Sequence, residues 1–163
     1  MKRRTLVTII ELIIASFLGL WLQLFLHEAG HAIFAMIAKN RIVDFKLGLL
    51  SYVEVNVTNP KSILLITLGA FVVPFILSII LFKFKSLFLN FLALVVGSVT
   101  WFQLAINLFV VISETNYMKL KTYDFGLLLN YGYSRNNMIL LVLVLAIIMM
   151  LILIKNLNKK IIA

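Results

Sequence analysis

Four apolar stretches, each long enough or nearly so to cross a bilayer, leave this chain little choice of fold. They run from about Leu6 to Ala38, Ile63 to Phe82, Leu87 to Ile112 and Met138 to Ile154. A helix needs ~20 residues to cross the hydrocarbon core. In lipid every backbone N–H and C=O must be bonded within its own segment, so each run is expected to be an α-helix. Of the 163 residues, 63% are hydrophobic, more apolar surface than a soluble domain of this length can hide in one core. The expected fold is an all-α polytopic membrane protein of about four transmembrane helices, forming a single membrane-embedded domain over residues 1–163. The first run is too long for one untilted span, so it must tilt or project. The second carries Gly69 and Pro74, which membrane helices tolerate, the proline usually as a kink.

The formal net charge is +9, yet the cations punctuate the apolar runs instead of forming a patch. Lys2, Arg3 and Arg4, Lys39 and Arg41, Lys83 and Lys85, and Lys155, Lys159 and Lys160 all sit near the ends of runs, where headgroups accept them. No basic stretch is interleaved with aromatics, so nucleic acid is not an expected partner; the bilayer is. The chain is expected to be a multi-pass protein of the cell membrane. Lysines and arginines are spread almost evenly over the two sets of loops, so the positive-inside rule assigns no orientation. The basic start followed by an apolar run has the look of a signal peptide, but no small-residue cleavage site closes it, and it is expected to be retained. There is no cysteine, which removes disulfides, thiol nucleophiles and thiolate ligands.

Between the first and second runs the period changes. Val53-Glu54-Val55-Asn56-Val57-Thr58 alternates apolar and polar, the pattern of a strand. Ile42 to Leu49 is a weaker strand, and Gly48 to Ser51 could turn the chain. A β-hairpin at the membrane surface is therefore expected over about residues 42–58. Residues 113–137 are polar at both ends, with the apolar run Phe125-Gly126-Leu127-Leu128-Leu129 after Asp124. That run is too short to span and is expected to be a loop or a re-entrant turn of helix.

The two histidines of the chain are His27 and His31, in His27-Glu28-Ala29-Gly30-His31. Residues i and i+4 share one helix face, so both imidazoles can bind one Zn²⁺, with Glu28 placed as general base for an attacking water. The bland alternative is a pair of histidines hydrogen-bonded to neighbouring helices, which gives no reason for a glutamate at that spacing. A hydrolytic zinc site needs a third protein ligand, and without further histidine or cysteine it must be a carboxylate. The other acidic residues are Glu11, Asp44, Glu54, Glu114 and Asp124. Glu11 is more than four helical turns from His27, and Asp44 and Glu54 belong to the hairpin. Asp124 is favoured over Glu114 because an apolar run follows it; a helix N-cap is its other natural role.

These residues resemble the site-2 protease family of intramembrane zinc metalloproteases, over about residues 20–130. His27-Glu28-Ala29-Gly30-His31 is the HExGH form common there. Leu68-Gly69-Ala70 to Pro74 is similar to the family's small-residue second core helix. Ile106-Asn107-Leu108-Phe109, followed by Asp124-Phe125-Gly126-Leu127-Leu128-Leu129, is similar to its asparagine segment and Asp-Gly motif. Phe125 splits the Asp-Gly pair, the interval from Asn107 to Asp124 is longer than usual, and the family's intervening proline is absent. The resemblance implies a zinc site of His27, His31 and Asp124. It also implies a transmembrane or membrane-associated protein substrate, and a hairpin that pairs with the unwound substrate strand.

Three other readings compete. In a glutamate zincin, Glu114 would be the third ligand, but such families usually carry an aspartate four residues later, where Met118 stands. A non-catalytic adaptor or immunity-type protein on a zincin scaffold would have little use for Glu28. A transporter is disfavoured by the absence of an internal repeat.

Overall fold

The computed structural model describes residues 2–46, 51–113 and 124–162. Its elements in chain order are α1 (Lys2–Ile37), β1 (Arg41–Lys46), β2 (Tyr52–Asn56), a 3-10 turn (Pro60–Ser62), α2 (Ile63–Leu81), α3 (Leu87–Ser113), α4 (Asp124–Asn130) and α5 (Arg135–Ile162). Helices α1, α2, α3 and α5 are long and apolar enough to cross a membrane, so the expected class of four spans and a small hairpin holds. The last helix overruns the expected 138–154 at both ends. Hydropathy reports where side chains turn polar, whereas a helix continues as long as its backbone bonds do, with lysine heads reaching to the interface. At 36 residues, α1 is ~54 Å long by helical rise, against ~30 Å of hydrocarbon.

Burial is inverted relative to a water-soluble protein. Phe17, Phe109 and Leu140 are more than 60% exposed, whereas Gln23, Ser78 and Thr100 are fully buried. Apolar side chains lose nothing by facing lipid, so the interior is left to small and polar groups that pack or bond between helices. Phe71 of α2, Leu104 of α3, and Phe125 and Leu128 of α4 are fully buried together. The short α4 is thereby anchored in the bundle by its own apolar residues.

A close helix crossing lies inside the histidine motif. A Cβ built on Gly30 would sit 2.2 Å from the carbonyl oxygen of Gly69, and one on Gly69 would sit 2.5 Å from the carbonyl oxygen of Gly30. Here α1 and α2 touch backbone to backbone, which only glycine allows. Helix α2 runs unbroken through the buried Pro74.

The chain leaves α1 through a Schellman turn. Asn40 N–H donates to Ala35 O at 2.9 Å and Lys39 N–H to Met36 O at 3.0 Å, with Lys39 at φ +58° in the left-handed position usually given to glycine. The Asn40 side chain then closes the base of the hairpin. Its Oδ1 accepts from Thr58 N–H at 2.9 Å and from Thr58 Oγ1 at 3.1 Å, and its Nδ2 donates to Ser62 Oγ at 2.9 Å. Strands β1 and β2 are antiparallel, with Arg41 opposite Asn56, Ile42 opposite Val55, Asp44 opposite Glu54 and Lys46 opposite Tyr52. The irregularity between Ile42 and Asp44 is an extra residue in β1. The expected turn at Gly48 to Ser51 lies almost wholly outside the described residues, as does Glu114.

Gly30→Ala should force α1 and α2 apart and lower stability by about 1–3 kcal/mol, the usual range for overpacking. Leu20→Ala, on the outward face, should change it little. Unfolding midpoints in detergent would compare the two, and equal midpoints would show that the crossing tolerates a methyl group.

Candidate metal centre

Three donor groups from two distant parts of the chain meet in the bundle. His27 and His31 stand one turn apart on α1, and Asp124 opens α4. His27 Nε2 lies 3.2 Å from Asp124 Oδ2, and His31 Nε2 lies 3.0 Å from Asp124 Oδ1. One donor atom from each residue falls within 4.8 Å of the others, so the group could hold a metal ion.

The chemistry of the donors sharpens this. His31 Nδ1 is 3.1 Å from the carbonyl oxygen of Ile66. A carbonyl only accepts, so Nδ1 carries the proton there and Nε2 of the neutral ring presents a lone pair. That lone pair faces a carboxylate oxygen, which is also an acceptor. Two acceptors at 3.0 Å are stable only with a proton or a cation between them. Four-coordinate bonds of ~2.0–2.1 Å give donor–donor edges of roughly 3.3–3.4 Å, close to both observed separations. The residues present therefore fit a small tetrahedral cation.

Neighbouring elements fix each donor. The His27 ring meets the Phe71 ring edge-on at 5.3 Å between centroids, and Phe71 packs on Phe125 at the same centroid separation. Asp124 is held from behind. Asn107 of α3 accepts the Phe125 N–H through Oδ1 at 3.1 Å and donates through Nδ2 to Gln103 O at 3.0 Å. The first turn of α4 is therefore capped by Asn107, which leaves the aspartate side chain to face the histidines.

Glu28 stands beside the three donors. Its Oε2 accepts from Val53 N–H of β2 at 3.1 Å. A cavity of about 480 Å³ opens here, lined by Glu28, His31, Asp124, Val53, Val55 and Ile66 among others. Strand β2 thus turns its outer edge to the site, and Val55 N–H, two residues on, projects to the same side as Val53 N–H. On the outer part of the hairpin the Tyr52 hydroxyl donates to the Asp44 carboxylate. That hydrogen bond to a carboxylate raises the phenol above its ordinary value.

All four residues singled out in the sequence, His27, Glu28, His31 and Asp124, are brought together. Asp44 and Glu54 face each other across the hairpin and are not among the donors. The Ile66 carbonyl and the Val53 amide were not legible from residue types, because backbone groups carry no residue signature. No protein-family model, curated protein or solved structure matches this chain.

His27→Ala and Asp124→Ala should each reduce bound divalent metal well below one per chain after equilibrium dialysis, whereas Glu114→Ala should not. Asn107→Leu keeps every donor but releases α4, and should weaken metal binding by about 10–100-fold, as loss of an orienting partner does. Unchanged metal content in Asp124→Ala would remove it from the ligand set.

Proposed function

We propose that this chain is a zinc metalloprotease of the site-2 protease type, hydrolysing a peptide bond of a membrane-embedded protein or peptide within the cell membrane. The observation that carries the proposal is the convergence of His27, His31 and Asp124 donor atoms within 4.8 Å, with the Glu28 carboxylate on the same cavity wall. Two imidazoles and one carboxylate, without thiolate, are a donor set used by hydrolytic zinc, and one position remains for water or substrate. Zinc, when bound, supplies a Lewis acid that polarises a carbonyl and makes water more acidic.

The chain's own residues supply the remaining functions. Glu28 takes the proton of the attacking water and returns it to the leaving amine. The Val53 amide tethers one oxygen of that carboxylate, which orients the second for proton transfer. A transmembrane helix must unwind before its amide can react, and the outer edge of β2 offers a row of backbone groups to hold it extended. Val53, Val55 and Ile66 along the cavity suit the apolar side chains of such a segment.

The adaptor reading keeps one physical foothold: a protonated histidine would also satisfy the His–Asp contacts. The two readings part at Glu28, because an ion-paired scaffold makes no use of a base.

Glu28→Gln should retain its zinc and lose hydrolysis by about 10²–10⁴-fold or more, since an amide cannot accept the proton. Cleavage of a co-expressed panel of single-span membrane peptides, with metal analysis of the same preparations, measures both. Comparable turnover by the variant would end the general-base assignment. Val55→Pro deletes one amide from the open edge of β2 and should impair cleavage at unchanged zinc content. Normal cleavage by a folded Val55→Pro protein would place substrate docking elsewhere.

A further inference from the structure

The two histidines are supported unequally. His31 Nδ1 has the Ile66 carbonyl at 3.1 Å, the outer partner that a metal-ligating imidazole normally has. His27 Nδ1 is buried without a partner, although it must carry a proton whenever Nε2 binds a metal. Of the other side-chain atoms buried without a partner among the described residues, one is Gln23 Oε1. Gln23 precedes His27 by four residues on α1 and is itself fully buried. Side chains at i and i+4 lie on one face, and those of a helix lean towards its N-terminus. His27 and Gln23 therefore share one face of α1, one turn apart. One residue lacks an acceptor and the other lacks a donor.

We infer that Gln23 is a positioning residue for His27, its side-chain carbonyl accepting a hydrogen bond from Nδ1–H directly or through one buried water. The inference rests on the metal-binding part of the proposed function. The Gln23 amide is already oriented for this, since its Nε2 donates to Gln103 Oε1 of α3. With the nitrogen committed to α3, the oxygen is the end left for α1. Polar atoms on both sides also suit a bridging water, which needs two or more partners.

The arrangement gives α3 a double role. One helical turn, Gln103 to Asn107, holds Gln23 through the Gln103 side chain and holds α4 through Asn107. The supports of His27 and of Asp124 are thus built on one rigid turn. Gln23 fixes the tautomer of His27 with Nε2 bare, and the same turn sets the distance to the carboxylate.

The test is zinc affinity of detergent-purified full chain, by chelator competition, for wild type, Gln23→Leu and Gln23→Glu. Gln23→Leu should bind one zinc at saturation with affinity lowered about 10–100-fold, while Gln23→Glu, which keeps an acceptor, should stay near wild type. In zinc-loaded wild type labelled with ¹⁵N-histidine, the His27 Nδ1 proton should appear as a slowly exchanging, hydrogen-bonded resonance. This readout stands even where Gln23→Leu fails to fold. Wild-type affinity in Gln23→Leu, an equal loss in both variants, or a rapidly exchanging Nδ1 proton overturns the inference and leaves the metal site standing. A wild-type chain that takes up no zinc overturns both.

Discussion

Without water, a buried polar group is stable only against another polar group, and that rule organises the whole molecule. Its helices are apolar outside, so their interior polar side chains cannot be left idle. Asn40 closes the hairpin onto α2, Asn107 ties α4 to α3, and Gln23 reaches Gln103. Each bond joins segments far apart in sequence and none lies on the lipid face. In hydrocarbon such bonds fix which helices are neighbours, while glycine contacts fix how close they come. The Gly30–Gly69 crossing sits one residue before His31, so packing of α1 on α2 and placement of a candidate metal donor are one event.

Much of this was legible in the sequence, for identifiable reasons. Membrane spans announce themselves by length and apolarity, whatever their tertiary neighbours. The histidine pair needs only a helix to be on one face, and α1 is a helix throughout. The alternation of Val53 to Thr58 marked β2, whereas β1 was fainter because an extra residue between Ile42 and Asp44 breaks the period. Elimination among six carboxylates left Glu114 and Asp124, and the apolar run after Asp124 favoured the latter.

The rest was hidden because it depends on depth and on backbone. No pattern in residues 113–137 states how far α4 dips; that is set by Phe125 and Leu128 filling the core. The same packing gives Phe125 a place beside Asp124. Phe125 lies against Phe71 behind His27, and its N–H is the one that Asn107 caps. A glycine at that position would cap equally well but would leave the wall behind His27 unfilled. Gln23 was visible as a polar residue in an apolar run, and its four-residue interval to His27 was a usable signal.

The length of α1 has a further consequence. His31 is six residues from the hairpin end of the helix and 29 from its other end, or ~9 Å and ~44 Å by helical rise. His27, His31 and the Asp124 carboxylate beside them therefore lie near the hairpin end of α1 and far from its other end. The cavity beside them is lined in part by Tyr52, Val53 and Val55 of β2, so the hairpin is part of the wall through which any solute reaches them. Whichever way the chain is inserted, the hairpin and these three side chains stay at the same end of the helix.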